Sequence, residues 1–245
     1  MDGMRYPVVE LRQYTLHPGQ RDVLIDLFDR EFVETQEAEG MAVLGQFRDL
    51  DRPDRFVWLR GFAGMECRPQ ALTGFYSGPA WKAHSAQANA TMIDSGNVLL
   101  LRPVNSGSGF PLPAAGRPSA DHPSPPPPSR VLVTICYRDH PFDEAFADFF
   151  DRQVRPVLAS LGAAPLACFQ TEHAENNFPA LPVRTGENAF AWFTLFASHE
   201  HLRDHLERLS HAGVWQDQVH PGLLATLSGA PQQLRLAPTA RSLLR

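Results

Sequence analysis

The chain reads as an α+β protein made of two tandem ferredoxin-like (βαββαβ) units whose sheets pack as an α/β barrel within one chain. Three observations carry that reading. The hydrophobic pattern runs strand, helix, strand, strand, helix, strand, and does so twice. Phe56, Trp58, Phe62, Ala63 and Trp81 recur 134 residues later as Phe190, Trp192, Phe196, Ala197 and Trp215, and Tyr14, His17 and Pro18 recur as Tyr137, His140 and Pro141 after 123, which marks an internal repeat. Strands such as 56–59 and 190–193 are apolar at nearly every position, as strands covered on both faces are. A sheet with helices on one face leaves its other face bare, and setting the two sheets against each other covers both.

In the first unit, residues 1–104, Val8 to Thr15 reads as a strand. Pro18 to Glu37 then sets Val23, Leu24, Leu27, Phe28 and Phe32 at helical spacing. Strands follow at Met41 to Phe47 and Phe56 to Phe62. A helical region from Glu66 to Met92 breaks at Gly78-Pro79, and Asn97 to Arg102 makes the last strand. Residues 105–129 are rich in Pro, Ser, Gly and Ala and read as an extended linker, with the PxxP content of a spacer. The second unit, 130–245, begins with a strand at Val131 to Tyr137. A helix carrying Phe142, Phe146, Phe150, Val154 and Leu158 follows, with a kink expected at Pro156. Strands at Pro165 to Gln170 and Ala189 to Phe196, helices from His199 to Leu227 and a strand at Gln233 to Leu236 complete it.

Composition narrows the function. There are 22 Lys+Arg against 27 Asp+Glu among 245 residues, a net charge of −5, without a basic cluster, so neither nucleic acid nor a membrane surface is an expected partner. Met1 to Tyr6 has no apolar leader-like core and the longest aliphatic runs resemble Val98 to Leu101, so no membrane span and a cytoplasmic location are expected. Three widely spaced cysteines, Cys67, Cys136 and Cys168, argue against a disulfide framework or zinc site and are expected to be buried, inert thiols. His201 and His205 are four apart on one helical face, but HLRDH lacks the HExxH pattern and Arg203 and Arg208 oppose a cation, so no metal is expected there. Gly107-Ser108-Gly109 precedes no helix and is no phosphate loop.

The repeat provides an internal control: features of both halves belong to the fold, and polar residues of one half are the better functional candidates. Glu10, Arg12 and Tyr14 alternate onto one face of the first strand, whereas Val133, Ile135 and Tyr137 stand at the matched spacing. Arg60 shares the face of Phe56, Trp58 and Phe62, where the other half has Thr194. Such charges form either a structural pair of Glu10 with Arg12 or Arg60, or a clamp for a carboxylate or enolate. His84 is the candidate general base; it lies about 60° from Trp81 around its helix, with Asn89 about 80° to the other side. Tyr76 adds a hydroxyl. The loop from Thr171 to Glu187, with His173, Asn177 and Arg184, is far longer than its first-half equivalent and reads as an interface arm or a substrate lid.

ELRQYTLHPGQ (10–20), RFVWLRGF (55–62), FYSGPAWKAHSAQANATM (75–92) and NVLLLRPV (97–104) resemble the NIPSNAP family, and ENNFPALPVRTGENAFAWF (175–193) is similar to the second-half signature of its bacterial members. The resemblance implies the dimeric α/β-barrel fold and association into homo-oligomers, but no single reaction. The expected function is binding of a hydrophobic small molecule, with a cofactor-independent proton transfer or oxygenation in the first unit. His84, Arg60 and Asn89 would be catalytic there, and Glu10, Arg12, Tyr14, Trp58, Tyr76, Trp81, His173, Asn177 and Arg184 would bind the substrate. The alternatives are a non-catalytic binding or scaffolding protein and a haem binder using His84 as axial ligand.

Overall fold

The computed structural model describes residues 6–111, 116–120 and 124–245. Residues 1–5 of the first unit, and 112–115 and 121–123 of the proline-rich stretch, lie outside the described residues.

β1 (Val8–Leu16), β2 (Ala42–Asp49), β3 (Arg55–Phe62) and β5 (Val98–Pro103) form an antiparallel set in the order β5-β1-β3-β2, and the short β4 (Met92–Asp94) pairs with the end of β1. β6 (Arg130–Arg138), β7 (Ala167–Thr171), β8 (Asn188–Phe196) and β9 (Gln232–Pro238) repeat this order as β9-β6-β8-β7. Antiparallel pairing of β2 with β9 and of β5 with β7 joins the two sets edge to edge. Eight strands therefore close into a barrel within one chain, which leaves no open edge in the ring.

Alternation along each strand sorts its side chains between two environments. Val9, Leu11, Val57, Leu59, Val133, Ile135, Ala191 and Phe193 fill the barrel interior. The intervening residues point outward, Tyr14, Phe56, Trp58 and Phe62 toward the first-half helices and Phe190 and Trp192 toward the second-half helices. The first-half layer consists of α1 (Arg21–Leu27), α2 (Val33–Ala38), α3 (Arg68–Ser77) and α4 (Pro79–Ala90). In the second half the layer is α5 (Glu144–Phe149), α6 (Arg155–Ser160), α7 (His199–His211) and α8 (His220–Leu224).

A π-helical turn, Phe28–Phe32, joins α1 to α2, and another, Phe150–Val154, joins α5 to α6. Both halves carry it, although only the second has a proline there. The irregularity expected at Pro156 therefore belongs to the fold rather than to that residue. Gly40 and Gly162 end the two helices with φ of 84° and 78°, a left-handed conformation that glycine adopts without strain. The break at Gly78-Pro79 is as expected: Gly78 is extended and Pro79 opens α4.

Strand register corrects one sequence match. Glu10 lies opposite Arg60 and Arg12 opposite Trp58, while Leu132 lies opposite Thr194 and Thr134 opposite Trp192. The counterparts of Glu10, Arg12 and Tyr14 are thus Leu132, Thr134 and Cys136, one residue before Val133, Ile135 and Tyr137. Aligning the two tyrosines placed the comparison on the wrong face, because a slip of one residue exchanges inside and outside. Cys67 is a second correction: it is exposed at the entrance to α3, while Cys136 and Cys168 are buried. Burial pushes the thiols of Cys136 and Cys168 up to about 12 and about 11.

The described part of 105–129 is anchored at several points. Phe110 packs on Phe169 and Phe193, with ring centroids 4.9 Å away in each case. Arg117 donates to Gln46 Oε1 and Glu37 Oε1. The tail beyond β9, to which the sequence assigned no role, buries Thr239 and Ser242, and Arg241 pairs with Glu34.

Candidate functional site

The outward face of β1 and β3 carries a buried charge cluster beneath the first-half helices. Cross-strand register sets Glu10 directly against Arg60. Glu10 Oε2 accepts from Arg12 Nη1 at 2.7 Å and from Arg60 Nε and Nη2 at 3.0 and 2.7 Å. Its other oxygen, Oε1, accepts from Arg68 Nε at 2.8 Å. Arg68 Nη2 lies 2.7 Å from the same oxygen but off the hydrogen-bonding direction. All four side chains are 0–1% exposed. Burial alone would raise the Glu10 carboxyl, but Arg60, Arg12 and Arg68 together hold it well below the usual carboxylate range.

Three guanidinium charges thus face one carboxylate, a net +2 buried away from the protein surface. Aromatic faces take up part of the excess. Arg12 lies 5.4 Å from the ring centroids of Tyr14 and Trp58, and Arg60 lies 5.1 Å from that of Trp58. Arg68 opens α3, where a cation opposes the helix dipole, so its position is set by Glu10 rather than by the helix.

Above the cluster is an aromatic cavity of about 30 Å³, lined by Tyr14, Gln36, Trp58, Tyr76 and Trp81 together with Phe28, Phe32 and Phe75. It has room for about one ordered water molecule or one small functional group. Two donors of the lining have no acceptor. Trp58 Nε1 is buried without a hydrogen-bond partner among the described residues. Tyr14 Oη accepts from Arg12 Nε at 2.9 Å and has no acceptor for its own proton among the described residues. Gln36 is spent, accepting from Arg60 Nη1 at 3.0 Å and donating to Phe32 O at 2.9 Å.

The long loop between β7 and β8 lies over this site. Asn176 and Asn177 accept from Arg68 Nη1 at 2.9 and 3.0 Å, and Asn177 Nδ2 donates to Met65 O at 2.7 Å. Phe178 stacks on Tyr76 at 6.2 Å, and Phe178 and Leu181 join the first-half core. A second-half loop therefore covers the first-half cavity.

Glu10, Arg12, Tyr14, Trp58, Arg60, Tyr76 and Trp81 are thus brought together, and Asn177 reaches them through Arg68. His84 stands behind Phe32, with ring centroids 6.5 Å apart, and its Nε2 is 3.4 Å from Glu31 Oε2 in a half-buried pair. Asn89 and His173 are exposed. Arg184 is held elsewhere, donating to Tyr137 Oη at 3.0 Å and to Glu187 Oε1 at 2.9 and 2.5 Å. Arg68 and Gln36 escaped the sequence reading. Arg68 had a usable signal, since the residue 134 positions later is Leu202, the same loss of charge that marked Arg60. Among the described residues no group of His, Cys, Asp and Glu is placed to hold a metal ion.

The NIPSNAP family model matches residues 9–106, which contain every residue of the charge cluster. This stretch is a NIPSNAP domain. Beyond the NIPSNAP domain, the whole chain is similar in fold to three solved structures. One, from Fusobacterium nucleatum and named "Putative monooxygenase", aligns over 97% of this chain and 94% of its own with a TM-score of 0.56 and 10% identity. A protein of the same name from Lactobacillus acidophilus aligns over 95% and 94%, with a TM-score of 0.54 and 12% identity. An anthrone oxidase-like protein aligns over 96% and 92%, with a TM-score of 0.54 and 11% identity. At these identities the likeness concerns the barrel alone. No curated protein matches the chain. No helix among the described residues is long and apolar enough to cross a membrane.

Proposed function

We propose that the NIPSNAP domain binds a hydrophobic small molecule through a carboxylate or enolate oxygen, in the space between its sheet and helices. The observation that carries this reading is the buried net charge of +2 beneath a cavity whose Trp58 N–H and Tyr14 O–H both lack acceptors. An anion there would satisfy both donors and offset the excess charge in one step. Arg12 strengthens Tyr14 as a donor by pointing its Nε at the phenol oxygen. The cavity admits the oxyanion as it stands, and the ligand's apolar body enters as Trp81, Tyr76 and the Phe178 loop move outward. The two halves are read as tandem ferredoxin-like units, of which only the first keeps the charged cluster.

A catalytic form of this reading is favoured by the His84–Glu31 pair. His84, which lies behind Phe32 and outside the cavity lining, would move a proton once Phe32 shifts aside, with Glu31 orienting it, while Tyr14 and Trp58 stabilise the developing enolate. Oxygenation of such an enolate by dioxygen without a cofactor is the reaction this reading assigns; the monooxygenase and oxidase-like names of the fold neighbours agree with oxidative chemistry and say nothing of a cofactor. Arg60 is fully engaged by Glu10 and Gln36, so its contribution is to hold the cluster; exposed Asn89 has no part in this version. A haem on His84 is not favoured, because the Nε2 that would meet the iron is 3.4 Å from Glu31 Oε2.

The test is calorimetric titration of the whole chain with 1-naphthoate. Binding in the wild type and a loss of about tenfold or more in Tyr14→Phe supports the reading. Equal affinity in the two proteins would remove it.

A further inference from the structure

In the second half, the residues equivalent to the charge cluster are small and neutral. Leu132, Thr134, Thr194 and Leu202 replace Glu10, Arg12, Arg60 and Arg68, while Trp192 and Trp215 keep the places of Trp58 and Trp81. What the arginines fill in one half is open in the other: a cavity of about 260 Å³ lies over this face, against about 30 Å³ in the NIPSNAP domain.

Its wall holds polar groups ready for a ligand. Thr134 and Thr194 are 4% and 3% exposed, line the cavity, and have no hydrogen-bond partner for their hydroxyls among the described residues. His205 is 2% exposed and points Nδ1 at Leu161 O, 3.3 Å away. A carbonyl accepts only, so Nδ1 carries the proton and Nε2 is left as an acceptor. Burial lowers the pKa of this imidazole, in keeping with a neutral ring. Trp192 and Trp215 supply flat apolar surface, His220 stacks on Trp215 at 5.5 Å, and no Asp, Glu, Lys or Arg is among the lining residues.

We propose that this cavity is a second binding site, separate from that of the NIPSNAP domain, for a neutral aromatic molecule bearing a hydroxyl group. The ring lies between Trp192 and Trp215, and the hydroxyl meets Thr134, Thr194 and His205 Nε2. An apolar cavity of about 150 Å³ accommodates benzene, so the larger space here suits two fused rings. An anion is disfavoured because the wall holds no Lys or Arg to offset its charge.

The probe is 1-naphthol, titrated calorimetrically into the full chain, with naphthalene and 1-naphthalenesulfonate as comparators. The expected order is 1-naphthol tightest, naphthalene weaker by about threefold to tenfold, the value of one or two hydrogen bonds, and the sulfonate not bound at this site. Thr194→Leu narrows the cavity and should abolish 1-naphthol binding. Thr134→Val, nearly isosteric, should weaken it about threefold and guards against misfolding of the first variant. Tyr14→Phe should leave it unchanged, so this site and the anion site are judged separately. No binding of 1-naphthol, equal affinity for naphthalene, or binding indifferent to both threonine variants would overturn the proposal.

Discussion

Glu10→Gln is the sharpest perturbation of the charge cluster. The substitution keeps size and shape, removes the one negative charge, and leaves three buried guanidinium groups facing each other. The four hydrogen bonds to the carboxylate lose the acceptor's negative charge, and the amide nitrogen meets donors only. Breaking a buried pair in this way costs about 3–5 kcal/mol, a large share of the roughly 5–15 kcal/mol that holds a domain together. Arg60→Met is the matched control. It fills a similar volume, lowers the excess charge, and leaves Glu10 with Arg12 and Arg68, so its cost should be nearer 1 kcal/mol although it also severs three hydrogen bonds. Urea unfolding followed by tryptophan fluorescence measures both. Added formate should restore part of the stability of Glu10→Gln by bringing an anion into the adjoining cavity. Equal costs for the two variants, or a Glu10→Gln cost below about 1 kcal/mol, would show that excess positive charge does not govern this cluster.

Three further outcomes follow from particular contacts. The depressed Glu10 carboxyl contributes stability above its ordinary value of 4.5, and that contribution is lost as pH falls toward its folded-state value. Urea midpoints of the wild type should therefore drop below about pH 4.5 more steeply than those of Glu10→Gln, and parallel curves would contradict the assignment. Asn177→Ala removes one acceptor of Arg68 and a tie to Met65 O, so trypsin should cleave after Arg184 faster than in the wild type, with global stability lowered by only about 1 kcal/mol. Gly40→Ala forces a side chain into φ of 84° and should cost about 1–2 kcal/mol in a urea melt, whereas the same change at exposed Gly116 should be near neutral.

Much of the barrel was legible because two-residue and helical periodicities are strong where both faces of a sheet are covered. Charges on an otherwise apolar strand face, Glu10, Arg12 and Arg60, stood out for the same reason. The π turns were not legible, since Phe28–Phe32 and Phe150–Val154 carry ordinary helical spacing and differ only in their backbone hydrogen bonding. The length of the 171–187 loop signalled importance, but nothing in its composition showed that Asn176, Asn177 and Phe178 cross to the other half. Tyr14 and Tyr137 misled the repeat comparison because identical letters one register apart face opposite sides. The second-half cavity was hidden for a simpler reason. Threonine and leucine attract no notice until the structure shows that arginines occupy the equivalent space.

The most direct test of the central claim uses the indole N–H signals of the four tryptophans in a ¹⁵N–¹H correlation spectrum of the whole chain. Trp58→Phe assigns the signal of Trp58, and 1-naphthoate is then titrated into the wild type. The account predicts a downfield shift of the Trp58 N–H as it gains an oxyanion acceptor, with Trp192 and Trp215 little changed. A Trp58 signal that stays in place while the ligand is bound would contradict it.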